Sequence, residues 1–491
     1  MRNRCGTFLL TLSRVLFLAL IVFAAFNFGL TRLSGMAAFN VAMGATVAIW
    51  ILAHMVGFSL PRTGWIPWVL GLLILLLGWS VTGLGLYESW ADEHEIELSE
   101  QLLDLILEFG SLDPDLGLKA CIRTTVLLGA LLIAIDLWNT PRWCQALMAT
   151  MLATAVAMVT LFYLQKLLPG VFTLRSENGK FPLSFATYRY WGNGASFINL
   201  FWPVIAATAL ATRLHGKRGW SIWMAAAIVV FSANYINVSK AGYGLGLIGL
   251  IAFGFLSLFA IRRQRRSRNA GGFSLRTLVV VAIPVAVLAI GLYMSISWER
   301  IEKLERTGFE NYTRTQAYLE FLEMIPEAGW TGFGPGSFYY SHYQYIEDNK
   351  IANSAPYWVA HQDYLQTIVE WGYAGAILWG LLLVPAALRL GIDGLARKSS
   401  RQASDSNEEF EYAYGIVGAL KQFAKTIPTG REFTVRGGVF IAIALISLHA
   451  AIDFPMQIVS LQFFFLIWIA LGWARREAVE SRDERRETRG F

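Results

Sequence analysis

Residues 66–86 read IPWVLGLLILLLGWSVTGLGL and contain no charged side chain. A helix needs about 20 consecutive, mostly apolar residues to cross a lipid bilayer. Because lipid offers no hydrogen-bond partners, such a segment satisfies its backbone groups internally, as an α-helix does. We therefore expect residues 66–86 to form a transmembrane helix.

Similar apolar stretches recur along the whole chain of 491 residues, of which 55% are hydrophobic and 15% are charged. A mean hydropathy of +0.47 is too high for an ordinary soluble domain. The sequence predicts an all-α, polytopic membrane protein with about 12 transmembrane helices and a large, partly helical outer loop. The predicted spans are 9–28, 37–59, 66–86, 121–138, 144–165, 196–213, 220–237, 241–261, 276–296, 364–389, 435–453 and 458–474.

The basic residues indicate how the chain is oriented. Five arginines lie within residues 262–268, and the loop at 213–218 is also basic, so both connections are expected on the cytoplasmic side. An even number of spans then places both termini in the cytoplasm. The net charge of +6 is explained by this orientation, and the partner it indicates is the lipid bilayer, with no nucleic acid.

Four segments then face the outside: the acidic stretch 88–115, the loop 166–194, the large loop 298–362 and the turn at Asp453. The function of the acidic stretch stays open. On the cytoplasmic side, the polar linker 391–434 is expected to carry no chemistry.

The large outer loop ends in the sequence WVAHQDYLQTIVEWGYAGAILWG, residues 358–380. His361 and Gln362 stand where the chain enters the tenth span, and helical spacing could place His361, Leu365 or Gln366, and Glu370 on one face. Histidine, with an ordinary pKa near 6.5, can accept a proton from an attacking hydroxyl group at the outer face. The alternative for a single histidine at this position is an interfacial anchor.

The pair His361–Gln362, a gap of nine residues and the run Gly372-Tyr-Ala-Gly375 resemble the signature of the bacterial O-antigen ligase and O-antigen polymerase superfamily. One departure is Lys240, where that family usually has arginine; the charge is kept, but bidentate phosphate contact is lost. The other segments that resemble this family are Arg189-x-x-Gly192 with Asn199, Ser239-Lys-Ala-Gly242, the turn Gly332–Phe338, and His449-x-x-x-Asp453-Phe454.

Cations at the outer ends of helices are suited to binding a diphosphate. We expect Arg189, Lys240 and Arg314 to do so, and the resemblance implies that the ligand is the diphosphate of a polyprenyl-linked sugar donor. Other cations of the outer loop, Arg300, Lys303 and Arg306, are expected to reach towards lipid headgroups.

Five further residues are secondary candidates. His342, in the tyrosine-rich part of the outer loop, is the second choice for a base, and Gln362 and Glu370 flank the signature. His449 and Asp453 are four residues apart, so a continuous helix would bring them together. They either line an acceptor cleft or form a structural hydrogen bond between helices.

The resemblance divides the chain into transmembrane helices at 1–185, an O-antigen ligase-like membrane domain at 186–474 and a charged cytoplasmic tail at 475–491. It implies a glycosyltransferase at the periplasmic face of a bacterial inner membrane, which moves a glycan from polyprenyl diphosphate to a hydroxyl of a glycan or lipid-core acceptor. The expected enzyme is inverting and needs no metal and no cofactor.

The sequence leaves several alternatives open. A ligase onto a lipid core, a polymerase of repeat units and a protein glycosyltransferase share these motifs. A transporter or flippase for lipid-linked saccharides is the alternative from another class, and it predicts ionisable residues near the middle of the bilayer and a repeated half.

Overall fold

The computed structural model describes residues 2–96, 98–172, 184–217, 219–237, 239–268, 308–348, 357–395 and 432–474. Of these residues, 84% are helical, and none of them forms a strand. The predicted all-α, polytopic fold is therefore confirmed.

The described helices follow the spacing of the apolar stretches along the chain. They are α1 (Arg2–Phe26), α2 (Leu33–Gly57), α3 (Ile66–Glu93), α4 (Glu100–Phe109), α5 (Pro114–Trp138), α6 (Pro141–Leu167), α7 (Pro169–Phe172), α8 (Trp191–Leu214), α9 (Trp220–Ile236), α10 (Lys240–Arg268), α11 (Gly308–Ala328), α12 (Phe338–Asp348), α13 (Asp363–Leu395), α14 (Phe433–Ala450) and α15 (Val459–Trp473).

Eleven of the predicted spans coincide with helices, and the span predicted at 276–296 lies outside the described residues. By length and composition, nine helices of the described part qualify as candidate membrane spans, and α9 and α15 are shorter apolar helices. Several helices extend beyond the apolar stretch that predicted them. Helix α13, for example, ends at Leu395, so residues 391–395 of the predicted linker are helical. Backbone hydrogen bonding continues where a helix leaves the lipid, and hydropathy does not detect that part.

Helix α8 lies at the centre of the bundle, where it packs against α9, α10 and α14. In the most apolar 18-residue stretch of α8, 100% of the residues are buried inside the protein, whereas the corresponding share in α10 is 28%. This position allows α8 to carry the polar side chains Asn193, Ser196 and Asn199, all of which are buried away from lipid. The centre of the bundle therefore contains polar groups that can contribute to a site.

The described part of the large outer loop is folded. Phe321 and Met324 of α11, Phe338 of α12 and Val369 of α13 belong to a second, smaller apolar core. Because this core joins the loop to the start of α13, it fixes the residues that lead into the signature histidine.

Buried ion pairs connect helices towards the opposite end of the bundle. Arg436 of α14 donates to Asp393 of α13 over 2.6 Å, and Arg14 of α1 donates to Asp136 of α5 over 2.8 Å. Removing one partner would leave a buried charge unpaired, so these pairs constrain how the helices pack.

Candidate active site

His361 and Asp453 form the centre of the candidate site. The Nδ1 atom of His361 lies 3.4 Å from Oδ1 of Asp453, although the two residues are 92 positions apart in the chain. The His361 side chain is 24% exposed and that of Asp453 is 8% exposed. A carboxylate at Nδ1 favours the tautomer that carries its proton there, so the Nε2 lone pair remains available to accept a proton.

His361 precedes helix α13 and is not part of it. Its backbone has φ +50°, in the left-handed region, and the side chain of Gln362 accepts a hydrogen bond from the N–H of Leu365 over 2.5 Å. Gln362 therefore caps the helix, which begins at Asp363. His361 therefore does not share the expected helix face, whereas Gln366 and Glu370 lie one turn apart on α13 and are hydrogen-bonded over 2.8 Å.

His449 contacts the other side of the same carboxylate. Its Nε2 atom lies 3.7 Å from Oδ2 of Asp453, and its Nδ1 atom lies 2.6 Å from the hydroxyl of Ser196. Helix α14 ends at Ala450, so the continuous helix expected through Asp453 is wrong; the turn that follows still brings the two side chains together. Ser196, which no sequence motif pointed to, is the third polar group in this row.

Phe454 connects this pair to the loop that carries Arg189. The centroid of its ring lies 4.7 Å from the ring centroid of His361, and the ring is stacked on that of Tyr190 with 5.4 Å between the centroids. Arg189 is exposed and directly precedes Tyr190, at the start of α8. The segment that carries Arg189 is thus connected to His361 through the rings of Tyr190 and Phe454.

Lys240 lies at the same end of the bundle, as the first residue of α10. The hydroxyl of Ser239 accepts a hydrogen bond from the N–H of Gly242 over 3.1 Å and caps this helix. Asn237 donates to the carbonyl of Trp191 over 2.7 Å. This bond joins the segment of Lys240 to the segment of Arg189. The predicted diphosphate ligand Arg314 is on α11, but its side chain lies outside the described residues.

The glycines of the signature form a joint with the outer loop. Gly372 breaks the regular geometry of α13 with φ +64° and ψ −174°. Backbone N–H groups that follow the break bond to the outer loop: Tyr373 donates to the carbonyl of Gly329 and Ala374 to that of Trp330, each over 3.1 Å. In return, Phe333 donates to Val369 over 2.9 Å and Gly334 to Glu370 over 3.1 Å. The break at Gly372 of the signature therefore allows the backbone of α13 to hold the outer loop by hydrogen bonds.

Glu370 reinforces this joint from inside the bundle. Its buried carboxylate accepts hydrogen bonds from Gln366 over 2.8 Å and from the N–H of Gly336 over 3.1 Å. Arg123 of α5 also attracts it electrostatically. An arginine inside a predicted span is a signal for function or for a buried partner, but the sequence did not show which carboxylate it would meet.

His342 is fully buried in the core of the outer loop. Its Nδ1 atom accepts a hydrogen bond from the N–H of Tyr357 over 3.1 Å, and its Nε2 atom lies 3.4 Å from a carboxylate oxygen of Glu320. Burial lowers the pKa of His342, and Glu320 offsets part of this shift. With both nitrogens engaged inside the loop, this histidine has a structural environment.

The region that carries the histidine, the glycine joint and Lys240's helix can be compared with known families. Residues 241–380 match the family model for O-Antigen ligase. The resemblance predicted from the signature is thereby confirmed, and the match supports a glycosyltransferase of the O-antigen ligase and polymerase type in a multi-pass membrane protein. Arg189, Lys240, His449 and Asp453 lie outside the matched residues. No curated protein matches the chain.

Proposed function

We propose that this protein transfers a glycan from a polyprenyl diphosphate carrier to an acceptor hydroxyl at the periplasmic face of a bacterial inner membrane. The observation that carries the proposal is the contact between His361 and Asp453 at one end of the helical bundle. This histidine lies inside the segment that matches O-Antigen ligase, and its side chain is accessible.

The arrangement supports general base catalysis. The Nε2 atom of His361 takes the proton of the acceptor hydroxyl as the hydroxyl oxygen attacks the anomeric carbon of the donor sugar. The resulting imidazolium is stabilised by the carboxylate of Asp453, which receives its Nδ1–H. Asp453 thus orients the base and offsets the charge that forms on it.

The leaving group of the same step is the lipid diphosphate. The bond between the anomeric carbon and the diphosphate oxygen breaks as the acceptor oxygen bonds from the opposite side, so the anomeric configuration inverts. Negative charge builds up on the diphosphate, and Arg189 and Lys240, which are both exposed at this end of the bundle, would bind it. Arg314 stays a predicted third ligand.

Replacing His361 by alanine tests the proposal. With purified protein in detergent, a native polyprenyl diphosphate-linked glycan and an acceptor, we expect the rate of transfer to fall by about 10²- to 10⁴-fold, since the base is lost. His94 is the matched control, because it is a histidine in the connection after α3 whose ring contacts Trp90 of that helix. The variant His94→Ala should retain full activity.

Undiminished transfer by His361→Ala would overturn the proposed base. The same assay addresses transport as the alternative, because transport requires two compartments and detergent-solubilised protein has none. Product formed by the purified wild-type protein therefore supports an enzyme.

A further inference from the structure

Asp363 joins the two chain segments that form the candidate site. It is the first residue of α13 and is only 3% exposed. One carboxylate oxygen accepts a hydrogen bond from the N–H of Met456 over 2.8 Å, and the other accepts one from the side-chain amide of Gln457 over 3.1 Å. Both oxygens are therefore occupied by the turn Pro455–Gln457.

This turn directly follows the residues that contact the histidine. Asp453 and Phe454 stand immediately before it, and both touch the side chain of His361. Asp363 itself is two residues after His361. The two hydrogen bonds of Asp363 thus run beside the contact between His361 and Asp453 and connect the same two segments.

The contact between His361 and Asp453 needs such support. At 3.4 Å it is longer than a strong charge-assisted hydrogen bond. The backbone of His361 has φ +50°, a conformation that non-glycine residues keep only when their surroundings hold them. Two bonds from a buried carboxylate to the facing turn supply that constraint.

We propose that Asp363 is a positioning residue that fixes His361 against Asp453. The inference rests on the proposed function of His361 as the base. Because both oxygens of Asp363 face the turn, the residue acts through geometry and takes no proton from the acceptor.

Three variants separate this role from others. Asp363→Ala removes both acceptors, so kcat should fall by about tenfold or more while the KM for the acceptor stays within about twofold. Asp363→Asn should retain most activity, because its oxygen still accepts from Met456 and the amide of Gln457 can rotate to accept from the new NH₂ group. Gln457→Ala should give an intermediate kcat.

Asp393→Asn is the matched control for loss of a buried carboxylate. Asp393 pairs with Arg436 on other segments of α13 and α14. This variant should lose thermal stability in detergent while the kcat of the folded protein is kept. A wild-type kcat for Asp363→Ala would overturn the inference, and so would an Asp363→Asn variant as inactive as Asp363→Ala, since that result would give the carboxylate a chemical role.

A second measurement does not depend on activity. With exposed Cys5 replaced by serine, spin labels at Trp358→Cys and Ile452→Cys, both exposed positions on the two segments, should show a broader distance distribution in Asp363→Ala but not in Asp363→Asn. An unchanged distribution in Asp363→Ala would also overturn the inference. Full activity of His361→Ala would instead remove the proposed role of His361 as the base, whatever the labels show about the position of the segments.

Discussion

At the scale of single residues, Gly192 shows how little space the site leaves. A Cβ atom at this position would lie 2.5 Å from Oδ2 of Asp453 and 2.3 Å from the ring of Tyr190. Both side chains would have to move, and Asp453 would lose its place beside His361. We expect Gly192→Ala to lower the rate of transfer by about tenfold or more, which corresponds to about 1.4 kcal/mol of transition-state stabilisation.

The control for this prediction is Gly244→Ala, because a Cβ atom there meets no other atom within 4 Å. Both variants are measured by the same transfer assay after purification in detergent. Equal activity of Gly192→Ala and the wild type would show that the position of Asp453 is unimportant for the rate.

At the scale of elements, the joint between α13 and the outer loop depends on Gly372. With φ +64° this position strains any other residue, and a Cβ atom would lie 2.3 Å from the carbonyl oxygen of Trp330. We expect Gly372→Ala to lower the free energy of unfolding, measured by denaturation in detergent, by about 1–3 kcal/mol. Gly380→Ala, on the same helix with open space around it, should cause no loss of stability.

The folded outer loop should also respond to pH through His342. Burial lowers its pKa in the folded state, so the full contribution to stability is present above the ordinary pKa of about 6.5. Below that pH the unfolded loop binds the proton first, and stability is lost as the pH falls through the lowered pKa. Amide hydrogen exchange in α11 and α12, corrected for the pH dependence of the intrinsic exchange rate, should therefore show less protection at about pH 5 than at neutral pH.

His342→Gln serves as the control for this pH dependence. The glutamine side chain does not titrate, so the loss of protection between neutral and acidic pH should be smaller in the variant than in the wild type. An identical loss in both proteins would assign the effect to other groups of the loop.

At the scale of the whole molecule, the proposed mechanism requires one end of the bundle to face the periplasm. A membrane-impermeant thiol reagent should label Trp358→Cys in cells with a permeable outer membrane, because this position is 74% exposed beside the candidate site. Leu60→Cys, 90% exposed in the connection between α2 and α3, should be labelled only after the inner membrane is opened. Exposed Cys5 is first replaced by serine in both variants. The reverse labelling would place the histidine in the cytoplasm and remove the proposed donor and acceptor from its reach.

The amino-acid sequence by itself determined the helices and the signature. The signal for a membrane span is the mean hydropathy of consecutive residues. Stretches such as 66–86 could therefore be assigned to helices without knowledge of any long-range contact. The spacing of His361, Gly372 and Gly375 also lies within one short segment, and the family match confirmed the resemblance it indicated. Arg189 and Lys240 remain predictions as diphosphate ligands.

Only the tertiary structure decided which groups meet the histidine. Asp453 is 92 positions away, and its contact depends on how α13 packs against α14 and the turn that follows. The connection of Asp363 to Met456 likewise spans 93 positions. Local periodicity contains no information about such pairs, because the energy that selects them comes from packing between distant segments.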